Sequence, residues 1–170
     1  MVTKESSSDL RKALVIDNNL CTGCRNCELA CSVRHTTTFN PARARIQILK
    51  DEFRATVIPM VCLQCDSPLC AEACPTGAIS ENSVGVLTVN HDLCIGCSNC
   101  VTACIYGGIA IDPLLKKAIK CDLCGGEPAC IDACTYRAIS LQSTDSQGLR
   151  GRSDSVRNLR TAYGLSEVDA

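Results

Sequence analysis

CTGCRNCELAC at residues 21–31 and CIGCSNCVTAC at residues 94–104 decide the architecture of this chain. Each is a C-x2-C-x2-C-x3-C run, carried by Cys21, Cys24, Cys27, Cys31 and by Cys94, Cys97, Cys100, Cys104. Each is followed by an expanded version. Cys62, Cys65, Cys70 and Cys74 read C-x2-C-x4-C-x3-C, and Cys121, Cys124, Cys130 and Cys134 read C-x2-C-x5-C-x3-C. The 16 cysteines of the 170-residue chain fall into these quartets with none left over. Three cysteines at such intervals lie on one loop, so three thiolates can reach three irons of one 4Fe–4S cube. The fourth, after x3, sits on a following helical turn that points away from that cube. Four quartets predict four clusters, and hence a path for electrons.

Two other readings of the cysteines are weaker. A disulfide scaffold needs an oxidising compartment, and the start of the chain, MVTKESSSDLRKALVID, has no apolar signal core, twin arginine or cleavage site. Structural zinc needs two C-x2-C pairs per site, whereas here a third cysteine follows every pair and a fourth follows at a fixed x3. Composition agrees with iron–sulfur. With 2 Phe, 3 Tyr and no Trp, no large apolar core can form, so the clusters must replace it and folding is coupled to metal insertion. The formal charge is −1, and four oxidised cubanes with their thiolates take the loaded protein to about −9. No basic patch argues for nucleic acid, and no apolar run is long enough to span a membrane. The expected home is the reducing cytoplasm.

Along the chain, residues 1–11 are polar and read as a flexible N-terminus. KALVID (12–17) reads as a strand. ARIQILK (44–50) and RATVIPMV (54–61) read as a hairpin whose second strand, holding Pro59, must lie at an edge. AIS (78–80) with GVLTVN (85–90), and GIAID (108–112) with KAIK (117–120), read as two more hairpins. RAISLQ (137–142) is a partner for KALVID. Beyond Ser143 the composition turns to Ser, Arg, Gly and Asp. This tail is either frayed or a docking arm, with Ser153-Asp154-Ser155 able to cap a short helix.

The quartets alternate compact, expanded, compact, expanded. CLQC…PLCAEACPTGAIS (62–80) also matches CDLC…PACIDACTYRAIS (121–140), as duplication of a two-cluster unit would produce. Duplication alone does not say which quartets share ligands. Tandem pairing (first with second) and nested pairing (first with fourth, second with third) each join one compact and one expanded quartet.

The four quartets, the hairpin after the first and CPTGAI at 74–79 resemble the four-cluster ferredoxin-type subunits of molybdenum and tungsten pterin oxidoreductases. CTGCRNCELACSVRH, FNPARARI and KCDLCGGEPAC are most similar to the polyferredoxin subunit of bacterial tungsten aldehyde oxidoreductases. The resemblance covers about residues 12–142. It implies an α+β fold: a duplicated bacterial two-cluster ferredoxin, one module inserted in the other, with short hairpins and helices around the clusters. The outer module would be 12–35 with 117–142, the hairpin insertion 36–61, the inner module 62–116 and the tail 143–170. It also implies nested ligation. Cys21, Cys24, Cys27 and Cys134 would hold one cluster, and Cys121, Cys124, Cys130 and Cys31 its neighbour. Cys62, Cys65, Cys70 with Cys104, and Cys94, Cys97, Cys100 with Cys74, would hold the inner pair. A proline follows the last cysteine of a typical ferredoxin quartet; here only Cys74 has one, Pro75.

The function expected is a non-catalytic electron-transfer subunit. It would relay single electrons between a large tungsten or molybdenum pterin catalytic subunit, best matched to an aldehyde oxidoreductase, and an FAD/NAD(H)- or ferredoxin-linked redox subunit. Head-to-tail self-association would extend the wire. A free-standing polyferredoxin and a hydrogenase- or formate dehydrogenase-linked accessory ferredoxin are the alternatives. No Gly-rich phosphate loop follows a strand, so the chain has no evident FAD or NAD site of its own, and no catalytic constellation can be argued. Gly23, Gly96, Gly107, Gly108 and Gly125 are candidates for letting backbone N–H groups approach the cubes. Lys120, just before Cys121, reads chiefly as a solvated lysine, with a field effect on a nearby potential as the sharper alternative. His35 and His91 lie outside the quartets, with surface or strand-end roles expected. Arg43 and Arg45 suit either an acidic partner surface or a solvated strand edge.

Overall fold

The computed structural model describes residues 12–143. The readings of 1–11 as a flexible terminus and of the tail after Ser143 as a docking arm lie outside the described residues. Within that range the chain is α+β, built of four separate two-stranded sheets and short helices.

The short apolar run in KALVI, ending in β-branched Val15 and Ile16, forms β1 (Lys12–Ile16), which buries Ala13, Leu14 and Ile16. It pairs antiparallel with β8 (Ile139–Ser143), Lys12 opposite Ser143 and Ile16 opposite Ile139. β2 (Ile46–Asp51) and β3 (Thr56–Val61) form the expected hairpin. Pro59 stands opposite Ile48, whose N–H turns away from β3 and donates to Glu28 Oε1 at 2.5 Å. The pair is therefore of the non-hydrogen-bonded kind, and the N–H that proline lacks leaves no gap in the ladder. β4 (Ile79–Glu81) pairs with β5 (Leu87–Val89), and β6 (Ile109–Ile111) with β7 (Ala118–Lys120). A boundary at 116/117 thus runs through a hairpin.

The helices obey one rule. α1 (Asn26–Thr36), α2 (Leu69–Glu72), α3 (Asn99–Ala103) and α4 (Ala129–Asp132) each begin one residue before the third cysteine of a quartet. The x3 spacing then sets the third and fourth cysteines one helical turn apart. In α2, α3 and α4 the helix stops before the fourth cysteine, whereas α1 runs on to Thr36 and keeps Cys31 inside it. α1 packs on α4, α2 on α3, and β5 against β7.

The apolar interior is divided. One cluster gathers Leu14, Ile16, Ile46, Ile48 and Ile139 around Cys27, Cys31, Cys121 and Cys130. A second gathers Ile79, Leu87 and Ile109 around Cys100. Cysteine is thus a structural component of both, as the shortage of aromatics requires.

Candidate iron–sulfur centres

All sixteen cysteines are free thiols, and the backbone bends them inward by a repeated device. The residue before the second cysteine is left-handed in every quartet: Gly23 (φ 67°), Gln64 (51°), Gly96 (73°) and Leu123 (56°). In the compact quartets the residue after that cysteine is left-handed too, Arg25 at φ 65° and Ser98 at φ 67°. Such conformations cost a non-glycine residue about 1–2 kcal/mol, so four side-chain-bearing residues hold strained loops in place. Backbone N–H groups, from the curls and from the segments around them, face the sulfurs. Arg45 N–H donates to Cys31 Sγ at 3.2 Å, Ala78 to Cys74 and Ala138 to Cys134 at 3.3 Å, and Gln64 to Cys62 and Ala118 to Cys94 at 3.4 Å. The matching Ala78 and Ala138 contacts are the duplication seen as hydrogen bonds.

Three open hollows are lined by cysteines from two quartets each. One, of about 370 Å³, has Cys21, Cys24, Cys27 and Cys134 on its wall with Ile16, Ile48 and Pro59. A second, of about 330 Å³, has Cys74, Cys94, Cys97 and Cys100. A third, of about 300 Å³, has Cys62, Cys65, Cys70 and Cys104, together with Lys120. The other four cysteines are mutual neighbours. Cys31 lies within the field of Cys124, Cys121 within that of Cys130 and Cys31, and Cys130 within that of Cys31 and Cys124. Cys121 also feels Cys62, so two of the groups meet there.

Burial governs the thiols. It pushes Cys27 and Cys130 up to about 12, and Cys121 further up, with neighbouring thiolates adding to the shift. At Cys74 burial works the same way, yet hydrogen bonds from the Thr76 hydroxyl and from the N–H groups of Thr76, Ala78 and Ile79 outweigh it and hold this thiol below its ordinary value. Thiolates packed this closely in apolar walls are tolerable only when a cation neutralises them, and N–H groups already face the sulfurs. This donor set fits 4Fe–4S clusters.

Several side chains are placed differently from their reading in the sequence. Lys120 is 2% exposed and donates through Nζ to Leu87 O at 3.0 Å. The solvated reading is wrong, because β7 is buried on both faces and Lys120 lines the hollow of Cys62, Cys65, Cys70 and Cys104. Arg43 and Arg45 are half-buried and paired within the chain rather than lying on a solvated strand edge. Arg43 Nε pairs with Asp112 Oδ2 at 2.8 Å, and Arg45 pairs with Asp122. His35, in the last turn of α1, is half-buried. Its Nε2 lies 3.5 Å from both Cys124 Sγ and Asp122 Oδ1, and burial, then the nearby Arg45 charge, hold its pKa low. His91 has the strand-end role expected, with Nε2 3.1 Å from Ala118 O. Gln64 and Glu28, buried at 3% and 4%, gave no signal in the sequence, since both lie in segments otherwise read for their cysteines. Among the described residues no helix is long and apolar enough to cross a membrane.

Comparison with known proteins gives the same chemistry. The chain is 38% identical over 88 residues to the polyferredoxin-like subunit of aliphatic sulfonate oxidoreductase from Pyrococcus furiosus, covering 51% of this chain and 50% of that protein. It is 36% identical over 95 residues to the iron–sulfur subunit ArrB of arsenate respiratory reductase from a Shewanella species, covering 54% and 41%. The chain thus spans about half the length of the curated relatives it matches. A solved chain of the active-site complex BamBC of benzoyl coenzyme A reductase superposes with a TM-score of 0.47 at 23% identity, covering 89% of this chain and 90% of that one. Residues 53–144 and 20–78 each match the 4Fe-4S dicluster domain, and on the first of these, more than half the chain, the protein belongs to the 4Fe-4S dicluster domain family.

Proposed function

We propose that this chain is a non-catalytic electron-transfer subunit carrying four 4Fe–4S clusters in nested ligation. The observation that carries the reading is the gathering of cysteines from two quartets around each hollow. Cys21, Cys24, Cys27 and Cys134 form one ligand set, and Cys121, Cys124, Cys130 and Cys31 the next. Cys62, Cys65, Cys70 with Cys104, and Cys94, Cys97, Cys100 with Cys74, form the other two. Tandem pairing would need cysteines of the first and second quartets to share a hollow, and they line separate ones. The modules follow: 62–116 inserted within 12–35 and 117–142, with 36–61 as the hairpin insertion and β7 shared between them.

When bound, the clusters supply one-electron oxidation and reduction without bond-making to a substrate. The chain's own residues hold the sulfurs, exclude water from them with Ile16, Ile48, Ile79 and Ile109, and direct N–H groups at them. In the order the contacts suggest, the set at Cys21 adjoins the set at Cys121, which adjoins that at Cys62, then that at Cys94. Cys24 and Cys97, the two exposed thiols among the sixteen, belong to the two outermost sets and mark where electrons enter and leave.

The partner proposed is a large tungsten or molybdenum pterin catalytic subunit of the aldehyde oxidoreductase type, in a reducing cytoplasm, with an FAD/NAD(H)- or ferredoxin-linked subunit at the other end. The two relatives named as subunits of oxidoreductases favour a complex over a freely diffusing carrier. Copies stacking head to tail would join clusters between protomers. Anaerobic purification from the native host, with intact-complex mass spectrometry and metal analysis, tests these points together. Co-purification with a tungsten or molybdenum protein at fixed stoichiometry is expected, and isolation of the chain alone with full iron would refute the complex. Cys134→Ala separates the ligation schemes. It should disturb the cluster of the first quartet under nested ligation, and that of the third under tandem.

A further inference from the structure

Lys120 and Gln64 meet at one residue, Leu87. Leu87 N–H donates to Gln64 Oε1 at 2.8 Å, and Leu87 O accepts from Lys120 Nζ at 3.0 Å. Gln64 Nε2 donates in turn to Cys121 O at 2.7 Å. Lys120 and Gln64 are 2% and 3% exposed, and Gln64 holds a left-handed backbone at φ 51° to reach this position. The junction lies where Cys62 and Cys121 approach each other. Only one of the three protons of the ammonium goes to Leu87 O by this bond. The hollow that Lys120 lines is also lined by Cys62, Cys65, Cys70 and Cys104.

We propose that Lys120, fixed by Leu87 and Gln64, is a positioning residue for charge. It raises the reduction potential of the cluster held by Cys62, Cys65, Cys70 and Cys104 above those of the other three. The inference rests on that ligand set. Reduction adds one negative charge to an already anionic group, and a cation buried beside it, screened little by water, favours the reduced form. The cluster at Cys62 is then the electron's resting place in the interior of the relay.

The test uses the full chain, purified or reconstituted anaerobically, with Lys120→Met, Lys120→Gln and Lys120→Arg. Iron and sulfide assays come first. Absence of iron in the native chain would refute the cluster reading itself, before any potential is measured. EPR-monitored redox titration then reads the proposal. In the Met and Gln variants one transition should move to lower potential by at least a tenfold change in its reduction equilibrium, about 59 mV for one electron, while the others hold. Lys120→Arg should keep the native value. A merely structural lysine would change stability or iron content without moving a single transition. Unmoved transitions at native iron content, or equal shifts in all of them, overturn the proposal. Should both neutral variants fail to load iron, the native chain decides. One cluster reducing ahead of the rest by a tenfold step or more supports the proposal, and all four reducing within one such step overturns it.

Discussion

At Gly108 the space for a side chain is already filled by backbone. A Cβ there would lie 2.6 Å from Cys62 Cα and 2.9 Å from Cys62 N, and neither atom can rotate away. Gly108→Ala should therefore displace Cys62 and destabilise the protein by about 1–3 kcal/mol. The purified variant is expected to contain less iron than the native chain and to lose its clusters at lower guanidinium concentration. Ser98 offers the opposite case. It is exposed, its side chain caps nothing, and it sits at φ 67°. Ser98→Gly should relieve strain and stabilise by about 0.5–1 kcal/mol, seen as a longer half-life of the cluster absorbance in denaturant. At this scale the sequence speaks clearly for cysteine and poorly for charge. Sixteen sulfurs announce themselves by spacing, whereas Lys120 sits in a three-residue strand buried on both faces. No alternation there tells an inward lysine from an outward one. Gln64 and Leu123 were equally silent, because left-handed backbone is expected of glycine and they take the glycine position without being glycine.

Asp112 anchors the segment between β6 and β7. Its carboxylate accepts from Leu114 and Leu115 N–H at 2.8 and 2.9 Å and from Arg43 at 2.8 Å. The anchor ties the β6–β7 turn to the stretch before β2. Removing the carboxylate strands Arg43 in a site where its side chain is 13% exposed. Asp112→Ala should cost about 3 kcal/mol, read as a lower thermal midpoint of the loaded protein. Burial opposes ionisation of Asp112, but the N–H groups of Leu115 and Leu114 and the guanidinium of Arg43 together hold its carboxyl below the ordinary value. A lowered pKa stabilises the fold at every pH above the unfolded value of about 3.9, and that contribution is lost as pH falls through the folded one. Cluster release from the native chain should thus steepen below about pH 4, and Asp112→Asn should flatten that part of the profile. Among elements, all three hairpins were legible because their strands and turn residues are local. The Arg43–Asp112 pair was not: its members stand 69 residues apart, and nothing in either neighbourhood names the other.

For the whole molecule, the consequence of replacing an apolar core with cysteine is dependence on metal. Two-stranded sheets are marginal by themselves, and both apolar clusters contain cysteines. Stripping iron with a chelator under reducing conditions should collapse the amide NMR dispersion of the entire chain, the inner and outer parts together. Survival of native dispersion without metal would contradict this. Spacing leaves the order of ligands open, since tandem and nested arrangements use identical quartets. The packing of α1 on α4 and of α2 on α3, which favours the nested proposal, has no local signature in the sequence.

Pairing of β1 with β8 sets Lys12 beside Ser143, and so gives synthesis a direction. During translation the segment from β3 to β7 can gather its cysteines while the strand that β1 awaits has not yet been made. Closing a loop of that length is entropically the most demanding contact in the fold, so it comes last. Under the nested ligation proposed above, Cys21, Cys24 and Cys27 would wait until then as open thiols without Cys134. On that proposal a chain released early would be a half-length wire with reactive ends, and iron delivery would have to keep pace with the ribosome for the full conductor to form.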